Sequence, residues 1–222
     1  MIFDDVLELA RSVSQFTIAG EGNVSVRDGD AMLIKASGST LETMTDDDLV
    51  RCDLDGNAFE GEEKKPSMEV SFHAWILKTF PEINCVCHTH PTHTIKILCS
   101  GRIRDFANKR LFPDQVVRNG TKSCVVPYAT PGAPLREEIK KSVEEFIGRN
   151  GYFPKLILLK NHGIITASAS IQEATVSTLM CEKSAEIYIG AKMLNIIQFL
   201  TPEEVAAVDT NPSEKYRREL YK

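Results

Sequence analysis

Two short apolar segments of this 222-residue chain each lead into histidine. Ile83–Cys87 is followed directly by His88 and, two residues later, by His90, whereas Leu156–Leu159 is followed closely by His162. Short apolar runs bounded by turn residues predict buried strands. Because residues i and i+2 of a strand point to the same side, the first two imidazoles are expected to reach one point beyond the sheet edge. A third histidine at an equivalent strand end predicts a shared site.

Three neutral imidazoles around one open position are typical of a catalytic zinc site. The pattern therefore predicts His88, His90 and His162 as ligands of a divalent ion, with Zn²⁺ preferred and Mn²⁺ or Co²⁺ as alternatives. Gly163 would let the backbone bend closely around that ion. The alternative, that strand-end histidines only hydrogen-bond to loops, stays open on these residues alone.

Strands and helices alternate along the chain without an internal repeat or a linker rich in Pro, Gly or Ser. Asn23–Arg27 and Ala31–Lys35 are predicted strands that flank a hairpin turn. Ile171–Leu194 has the length and composition of a long helix, and residues 101–121 show the least regular pattern. This order favours one α/β domain over residues 1–222, in which helices cover a central, mixed sheet.

The composition argues against two classes of partner. A net charge of −5, without a dense cluster of Lys or Arg, gives no nucleic-acid footprint. No segment reaches the roughly 20 apolar residues that a membrane span needs, and the start lacks the basic and apolar regions of a signal peptide. The six cysteines are scattered, mostly in apolar stretches, and are interpreted as small buried hydrophobes. We therefore expect a cytoplasmic protein with no nucleic-acid or membrane partner.

A helix is predicted to begin at Ser67, as its N-cap, and to end before Pro81. Glu69 would lie in its first turn, where a carboxylate ordinarily does no more than complement the helix dipole. The free backbone N–H groups of the same turn can also hold an anion. His73 and His93 lie on predicted helices as well, and both are interpreted as structural or as supporting neighbours of the site.

Two turns have the small, polar, glycine-containing composition that allows a backbone to approach an anion closely: Gly20–Ser25 and Ala36–Ser39. Neither has the glycine spacing of a P-loop or of a dinucleotide-binding motif. Each is a weak signal alone, because most such turns are only turns. Together with a helix start at Ser67 they suggest an anion pocket.

Five short motifs follow one another in order: Gly22-Asn23-Val24-Ser25-Val26-Arg27, Ala36-Ser37-Gly38, Lys65-Pro66-Ser67-Met68-Glu69, His88-Thr89-His90-Pro91 and Asn161-His162-Gly163. Taken together, over about residues 3–195, they resemble the class II aldolase/adducin family. Its members include L-fuculose- and L-rhamnulose-1-phosphate aldolases, L-ribulose-5-phosphate 4-epimerase, a methylthioribulose-phosphate dehydratase, a tetronate-phosphate decarboxylase and the non-enzymatic adducin head. Because the fold serves several chemistries, the resemblance predicts the site better than the reaction.

The resemblance implies a single three-layer domain with a central mixed, mainly antiparallel sheet flanked by helices. It also implies a lyase: a metal-dependent aldolase that cleaves or forms a C–C bond in a ketose phosphate through a metal-stabilised enediolate. A decarboxylase or 4-epimerase of a related sugar phosphate is the alternative on the same fold. A non-catalytic adducin-like module is less favoured, because the adducin head has lost metal ligands that this chain retains.

The family's functional positions map onto particular residues of this chain. His88, His90 and His162 match the zinc ligands, and Glu69 matches the catalytic acid/base. The positions that hold the substrate phosphate match four residues: Asn23, Ser37, Gly38 and Ser67.

The chain also departs from the pattern. Met68 stands where the aldolases have a second serine, and it cannot donate a hydrogen bond to phosphate. Asp114 falls near the position of the epimerase's acid/base aspartate and is predicted as a second catalytic residue, against the alternative that it caps a turn. Tyr216 or Tyr221 of a neighbouring subunit is the other candidate, since the family resemblance implies a homotetramer that shares sites across its interfaces.

Overall fold

A computed structural model describes residues 2–195 and 197–220 of the chain. Within these ranges seven strands form one sheet. In chain order they are β1 (Asn23–Asp28), β2 (Ala31–Lys35), β3 (Leu49–Asp53), β4 (Cys85–Thr89), β5 (Cys124–Val126), β6 (Ile157–Leu159) and β7 (Ile164–Ser168). The spatial order is β3-β2-β1-β4-β7-β6-β5. Every neighbouring pair is antiparallel except β5 and β6, which are parallel.

Nine α-helices occur in the same described ranges. They are α1 (Ile2–Val13), α2 (Val70–Thr79), α3 (Thr92–Leu98), α4 (Ile103–Asn108), α5 (Pro113–Asn119), α6 (Ala133–Asn150), α7 (Ile171–Met193), α8 (Pro202–Thr210) and α9 (Pro212–Glu219). Among the described residues, no helix is both long and apolar enough to cross a membrane.

Helices pack on both faces of the sheet. On one face α2 and α6 bury their apolar sides against alternate strand residues such as Ile34 and Val86. On the other face α1 and the start of α7 cover the opposite set, including Val24, Leu33 and Cys87. This division follows from the two-residue period of a strand. The expected three-layer α/β architecture, with a mixed and mainly antiparallel sheet, is confirmed by the structure.

Two details of the expected secondary structure were wrong. Ser67 is not the N-cap of α2, because the helix begins at Val70 with Glu69 as its N-cap. The Ser67 N–H donates instead to the Lys35 carbonyl, which holds this segment extended beside the end of β2. Residues 101–121 are also more regular than expected, since they contain α4 and α5. Arg110, fully buried between these two helices, donates to carbonyl oxygens near both of them.

Candidate metal centre

The site lies where β1, β4 and β7 adjoin near the middle of the sheet. His88 is the fourth residue of β4, with Asn23 as its register partner on β1 and Ile165 on β7. Backbone pairing on both sides therefore fixes the position of this histidine. His90 follows just beyond the strand, where its N–H donates to the Phe16 carbonyl.

Three imidazoles meet at this point. The Nε2 atoms of His88 and His90 are 3.0 Å apart, and one nitrogen from each of His88, His90 and His162 lies within 4.8 Å of the others. Zn–N bonds of about 2.0–2.1 Å place two tetrahedral ligand nitrogens about 3.3 Å apart. The spacing of the first two histidines is therefore close to that of two ligands of one ion. This group could hold a metal.

Hydrogen bonding leaves the nitrogen of His88 that faces the group free to bind. Its Nδ1 is 2.9 Å from the Ile164 carbonyl oxygen, which can only accept, so Nδ1 carries the proton. Nε2 then keeps its lone pair for the site. Burial lowers the pKa of His88, His90 and His162, that of His90 to about 4. The imidazoles are therefore neutral near pH 7, which is the form that binds metal.

The turn between β6 and β7 brings in the third imidazole. Asn161 has a positive φ of 55°, and the Leu159 N–H closes the turn onto the Gly163 carbonyl. His162 lies at the tip, 15% exposed, and its Nδ1 is buried without a hydrogen-bond partner among the described residues. A buried, unpaired ring nitrogen fits a ligand role better than a structural one, because an unsatisfied polar atom is costly.

Gly163 is required by the close approach of this turn to β4. A β-carbon here would lie 2.5 Å from both His90 Cδ2 and the Thr89 carbonyl oxygen. The latter is a backbone atom of the strand and cannot move aside cheaply. The expected role of this glycine, letting the chain bend closely around the site, therefore has a steric basis.

Gly163→Ala is expected to weaken metal binding at least tenfold, because the new methyl group must displace His90 or the end of β4. Competition with a chromogenic chelator would measure the affinity for Zn²⁺. Gly148→Ala is the matched control, since a β-carbon at Gly148 in α6 meets nothing within 4 Å. Equal affinity in both variants and in the wild type would contradict this account of the turn.

Glu69 faces the histidines from the start of α2. Its Oε2 lies 3.3 Å from His88 Nε2 and accepts a hydrogen bond of 2.8 Å from Asn23 Nδ2, while Oε1 lies 3.5 Å from His162 Nε2. Oε1 has no hydrogen-bond partner among the described residues. Burial acts to raise the pKa of Glu69, but His88 and the bond from Asn23 outweigh it, so the net shift is downward. The group is thus a carboxylate with one oxygen held and one available.

The Ala36–Ser39 turn lies beside the segment that contains Ser67. The Ser37 N–H donates to the Lys65 carbonyl and the Ser67 N–H to the Lys35 carbonyl, so the two serine-bearing segments run antiparallel. Ser37 and Gly38 are exposed, and Ser67 is buried. Met68, which departs from the family pattern, is 77% exposed.

Sequence reasoning missed Lys35. It is only 2% exposed, and its Nζ donates to the carbonyls of Gly20 and Ser39, which ties the two glycine-bearing turns together. Burial lowers its pKa, although the negative charges of Asp48 and Glu69 oppose the shift. A lysine at the end of an apolar strand is the one signal in the sequence that could have identified it.

Glu21 was missed as well. Its carboxylate lies 3.5 Å from Nδ1 of His90, the ring nitrogen that faces away from His88. A carboxylate at this place orients a ligand imidazole and raises its basicity. Glu21 sits in a turn whose glycines attracted attention for backbone contacts, and nothing in the local pattern marks its side chain.

The family of the chain is now evident. Residues 5–189 match the family model described as Class II Aldolase and Adducin N-terminal domain. The chain belongs to this family. The resemblance that five short motifs carried is therefore confirmed.

Similar proteins match most of the length of the chain. The 3-oxo-tetronate 4-phosphate decarboxylase of Haemophilus influenzae is 30% identical over 204 residues, which cover 90% of this chain and 92% of the relative. An L-fuculose phosphate aldolase of Escherichia coli is 30% identical over 210 residues, 93% of this chain and 90% of the relative. A solved structure of L-fuculose 1-phosphate aldolase has a TM-score of 0.81 at 25% identity, covering 97% of this chain and 96% of its own.

Asp114, which was predicted as a second acid/base, is partly exposed. Asp114 is in the first turn of α5, and its described ion pair is with Arg217 of α9, at 3.3 Å, rather than with the histidines. Tyr216 is 66% exposed beside that arginine, whereas Tyr221 lies outside the described residues. Two of the three candidates therefore share one exposed region.

Proposed function

We propose that this protein is a metal-dependent aldolase that cleaves or forms a C–C bond in a ketose phosphate. The observation that carries the proposal is the Glu69 carboxylate at 3.3 and 3.5 Å from two of three converging imidazoles. A structural zinc site would be closed by a fourth protein ligand, whereas three imidazoles leave a position for substrate. Zn²⁺ is the proposed ion because it favours nitrogen ligands in a tetrahedral arrangement.

Different residues would bind the metal and transfer the proton. His88, His90 and His162 would hold the ion, and a bound divalent ion supplies Lewis-acid stabilisation of negative charge on the substrate oxygens. Glu69 would remove and return the proton on the carbon beside the carbonyl through Oε1, which has no hydrogen-bond partner among the described residues. The burial of this carboxylate keeps water from competing for that proton.

The two antiparallel serine segments are proposed to bind the phosphate. Ser37 and Ser67 offer hydroxyl donors, and Gly38 offers a backbone N–H. Asn23 retains one amide hydrogen besides the one given to Glu69. Met68 removes one donor from the family's set. Each charge-assisted hydrogen bond contributes about 1.5–3 kcal/mol, so losing one weakens binding without abolishing it. Lys35 adds a positive charge beside these segments, where its Nζ bonds to the carbonyls of Gly20 and Ser39.

A decarboxylase is the second candidate, favoured by the 30% identity to the 3-oxo-tetronate 4-phosphate decarboxylase across 90% of this chain. Loss of carbon dioxide from a 3-oxo acid leaves negative charge on the same oxygens as C–C cleavage of an aldol. The same imidazoles and carboxylate would therefore serve either reaction. A 4-epimerase would need a second acid/base on the opposite side of the bond.

Aldol cleavage also needs a second acid/base, for the proton of the hydroxyl that becomes the aldehyde, and we place this group on a neighbouring subunit of a homotetramer. The Asp114 side chain is 45% exposed and Tyr216 is exposed as well, so another copy's site could receive them. A single domain over residues 1–222 in the cytoplasm remains part of the proposal.

The aldolase is expected to join dihydroxyacetone phosphate to one of a panel of hydroxyaldehydes when loaded with Zn²⁺, Mn²⁺ or Co²⁺. Chromatography of the ketose phosphate product measures the reaction, and dihydroxyacetone is the matched donor that lacks the phosphate. A preference of tenfold or more for the phosphorylated donor would support the anion pocket.

The competing reactions give different products. Carbon dioxide release from a 3-oxo-tetronate phosphate, without aldol addition, would assign the decarboxylase. Interconversion of pentulose phosphates without fragmentation would assign the epimerase. A protein that binds no divalent metal and catalyses none of these would point to the non-catalytic module.

A further inference from the structure

Four buried side chains form a continuous line of hydrogen bonds that ends on the catalytic carboxylate. Ser25 Oγ lies 2.7 Å from Nδ1 of His73, whose Nε2 lies 2.5 Å from Asn23 Oδ1. Asn23 Nδ2 in turn donates to Glu69 Oε2 at 2.8 Å. His73 is 0% exposed, and Ser25 and Asn23 are buried beside it on β1. We call Ser25, His73, Asn23 and Glu69 the His73 hydrogen-bond network.

The direction of every hydrogen bond in the His73 hydrogen-bond network follows from the Glu69 carboxylate at its end. The ionised carboxylate of Glu69 can only accept, so Asn23 must present its NH₂ group there and its carbonyl oxygen to His73. His73 must then donate from Nε2, which leaves Nδ1 as an acceptor for the hydroxyl of Ser25. Burial lowers the pKa of His73 to about 3, so the ring is neutral and has only one N–H.

The His73 hydrogen-bond network connects strand β1 with helix α2 beside the group of three histidines. Ser25 and Asn23 lie on β1, where Asn23 pairs in register with His88, while His73 lies on α2 one turn after Glu69. The ring of Phe72 stacks on His73, with centroids 4.6 Å apart. His73 therefore has a fixed plane and two fixed partners. An apolar residue could fill the same space but would leave the Asn23 carbonyl oxygen unpaired.

We propose that His73 is a positioning residue that sets the rotation of the Glu69 carboxylate by acting through Asn23. Holding Oε2 on Asn23 turns Oε1, which has no partner among the described residues, toward the substrate side of the group. His73 is fully buried and its ring nitrogens bond to Ser25 and Asn23, so it would act on a substrate only through other residues. This inference rests on the proposed function for its kinetic consequence, but not for the order of its hydrogen bonds.

Kinetics separates positioning from packing. His73→Leu removes the donor and is expected to lower kcat about tenfold to thirtyfold with KM changed less than threefold. His73→Gln, which can place an N–H near the position of Nε2, is expected to recover most of that loss. Ile76→Val is the control for lost packing on the same buried helix, and its kcat should stay within twofold of wild type. Equal kcat in His73→Leu and wild type would overturn the proposal.

The effect must also depend on Glu69. In a Glu69→Gln background, His73→Leu is expected to lower the residual rate by less than threefold, because the group being positioned is already absent. A full additional loss of tenfold or more would mean that His73 acts by another route, and the proposal would fail. If His73→Leu does not fold, Ser25→Ala gives a milder perturbation of the His73 hydrogen-bond network.

Nitrogen NMR of ¹⁵N-histidine protein, without metal, tests the order of bonds independently of activity. His73 is expected as the neutral Nε2–H tautomer, with Ser25→Ala shifting the Nδ1 resonance. An Nδ1–H tautomer or a cationic ring would overturn the inference whatever the activity. An Nε2–H tautomer in a protein without lyase activity would uphold the hydrogen-bond order while refuting the proposed function.

Discussion

Replacing His88 or His162 with alanine is expected to reduce bound divalent metal to well under one ion per chain. In the proposed site each histidine supplies one of three protein ligands, and an ion held by two ligands exchanges readily with solvent and chelators. The measurement is metal content after dialysis against a weak chelator, for protein loaded beforehand with Zn²⁺. Catalysis in the aldol addition assay should fall with the metal content.

His93→Gln is the matched control for this loss. His93 is only three residues from His90 along the chain, yet its Nδ1 bonds to Glu182 on α7 at 2.8 Å, away from the metal group. Its substitution should leave metal content near that of the wild type. If His88→Ala and His162→Ala also retain a full equivalent of metal, the ion binds elsewhere and the proposed centre is wrong.

The fold class could be predicted from the sequence because its signals are local. The alternation of Asn23–Arg27 and the turn at Asp28-Gly29-Asp30 predicted the first hairpin, which the structure contains, with a φ of 60° at Gly29. The long helix expected over Ile171–Leu194 is found as Ile171–Met193. The short helices α4 and α5 were missed because one or two turns carry too few apolar positions to define a period.

The convergence of the histidines could be anticipated for a similar reason. A spacing of two residues on a strand has one geometric meaning, so His88 and His90 were expected to face the same point. His162 was expected to join them because it ends an equivalent apolar segment. The pairing of β4 with β7 could not be predicted, because no local pattern encodes strand order. The His73 hydrogen-bond network could not be predicted from the sequence, because its residues are brought together only by the packing of α2 on β1.

Ser67 shows how tertiary pairing overrides a local preference. Serine is a good N-cap, and the sequence alone favoured a helix starting there. Pairing of residues 65–67 with the end of β2 keeps this segment extended, and the Ser67 hydroxyl instead accepts from the Glu69 N–H at 3.3 Å. The consequence is functional: the helix begins two residues later than expected, with Glu69 at its very start facing the histidines.

Glu69→Gln is expected to lower kcat about a hundredfold or more while leaving fold and metal content nearly intact. The amide has almost the same shape as the carboxylate but cannot accept the proton from the carbon beside the carbonyl. Its oxygen can still accept the hydrogen bond from Asn23. The simpler role of helix capping is disfavoured, because the Glu69 side chain makes no capping hydrogen bond to α2.

Deuterium exchange isolates the step assigned to this residue. Dihydroxyacetone phosphate alone, incubated in D₂O with wild-type protein and Zn²⁺, should exchange a C–H hydrogen, because deprotonation needs no aldehyde. Glu69→Gln should lose this exchange, whereas Glu69→Asp, which withdraws the carboxylate by one methylene, should retain part of it. If Glu69→Gln exchanges deuterium and turns over as fast as the wild type, another group is the base and Glu69 has only a structural role.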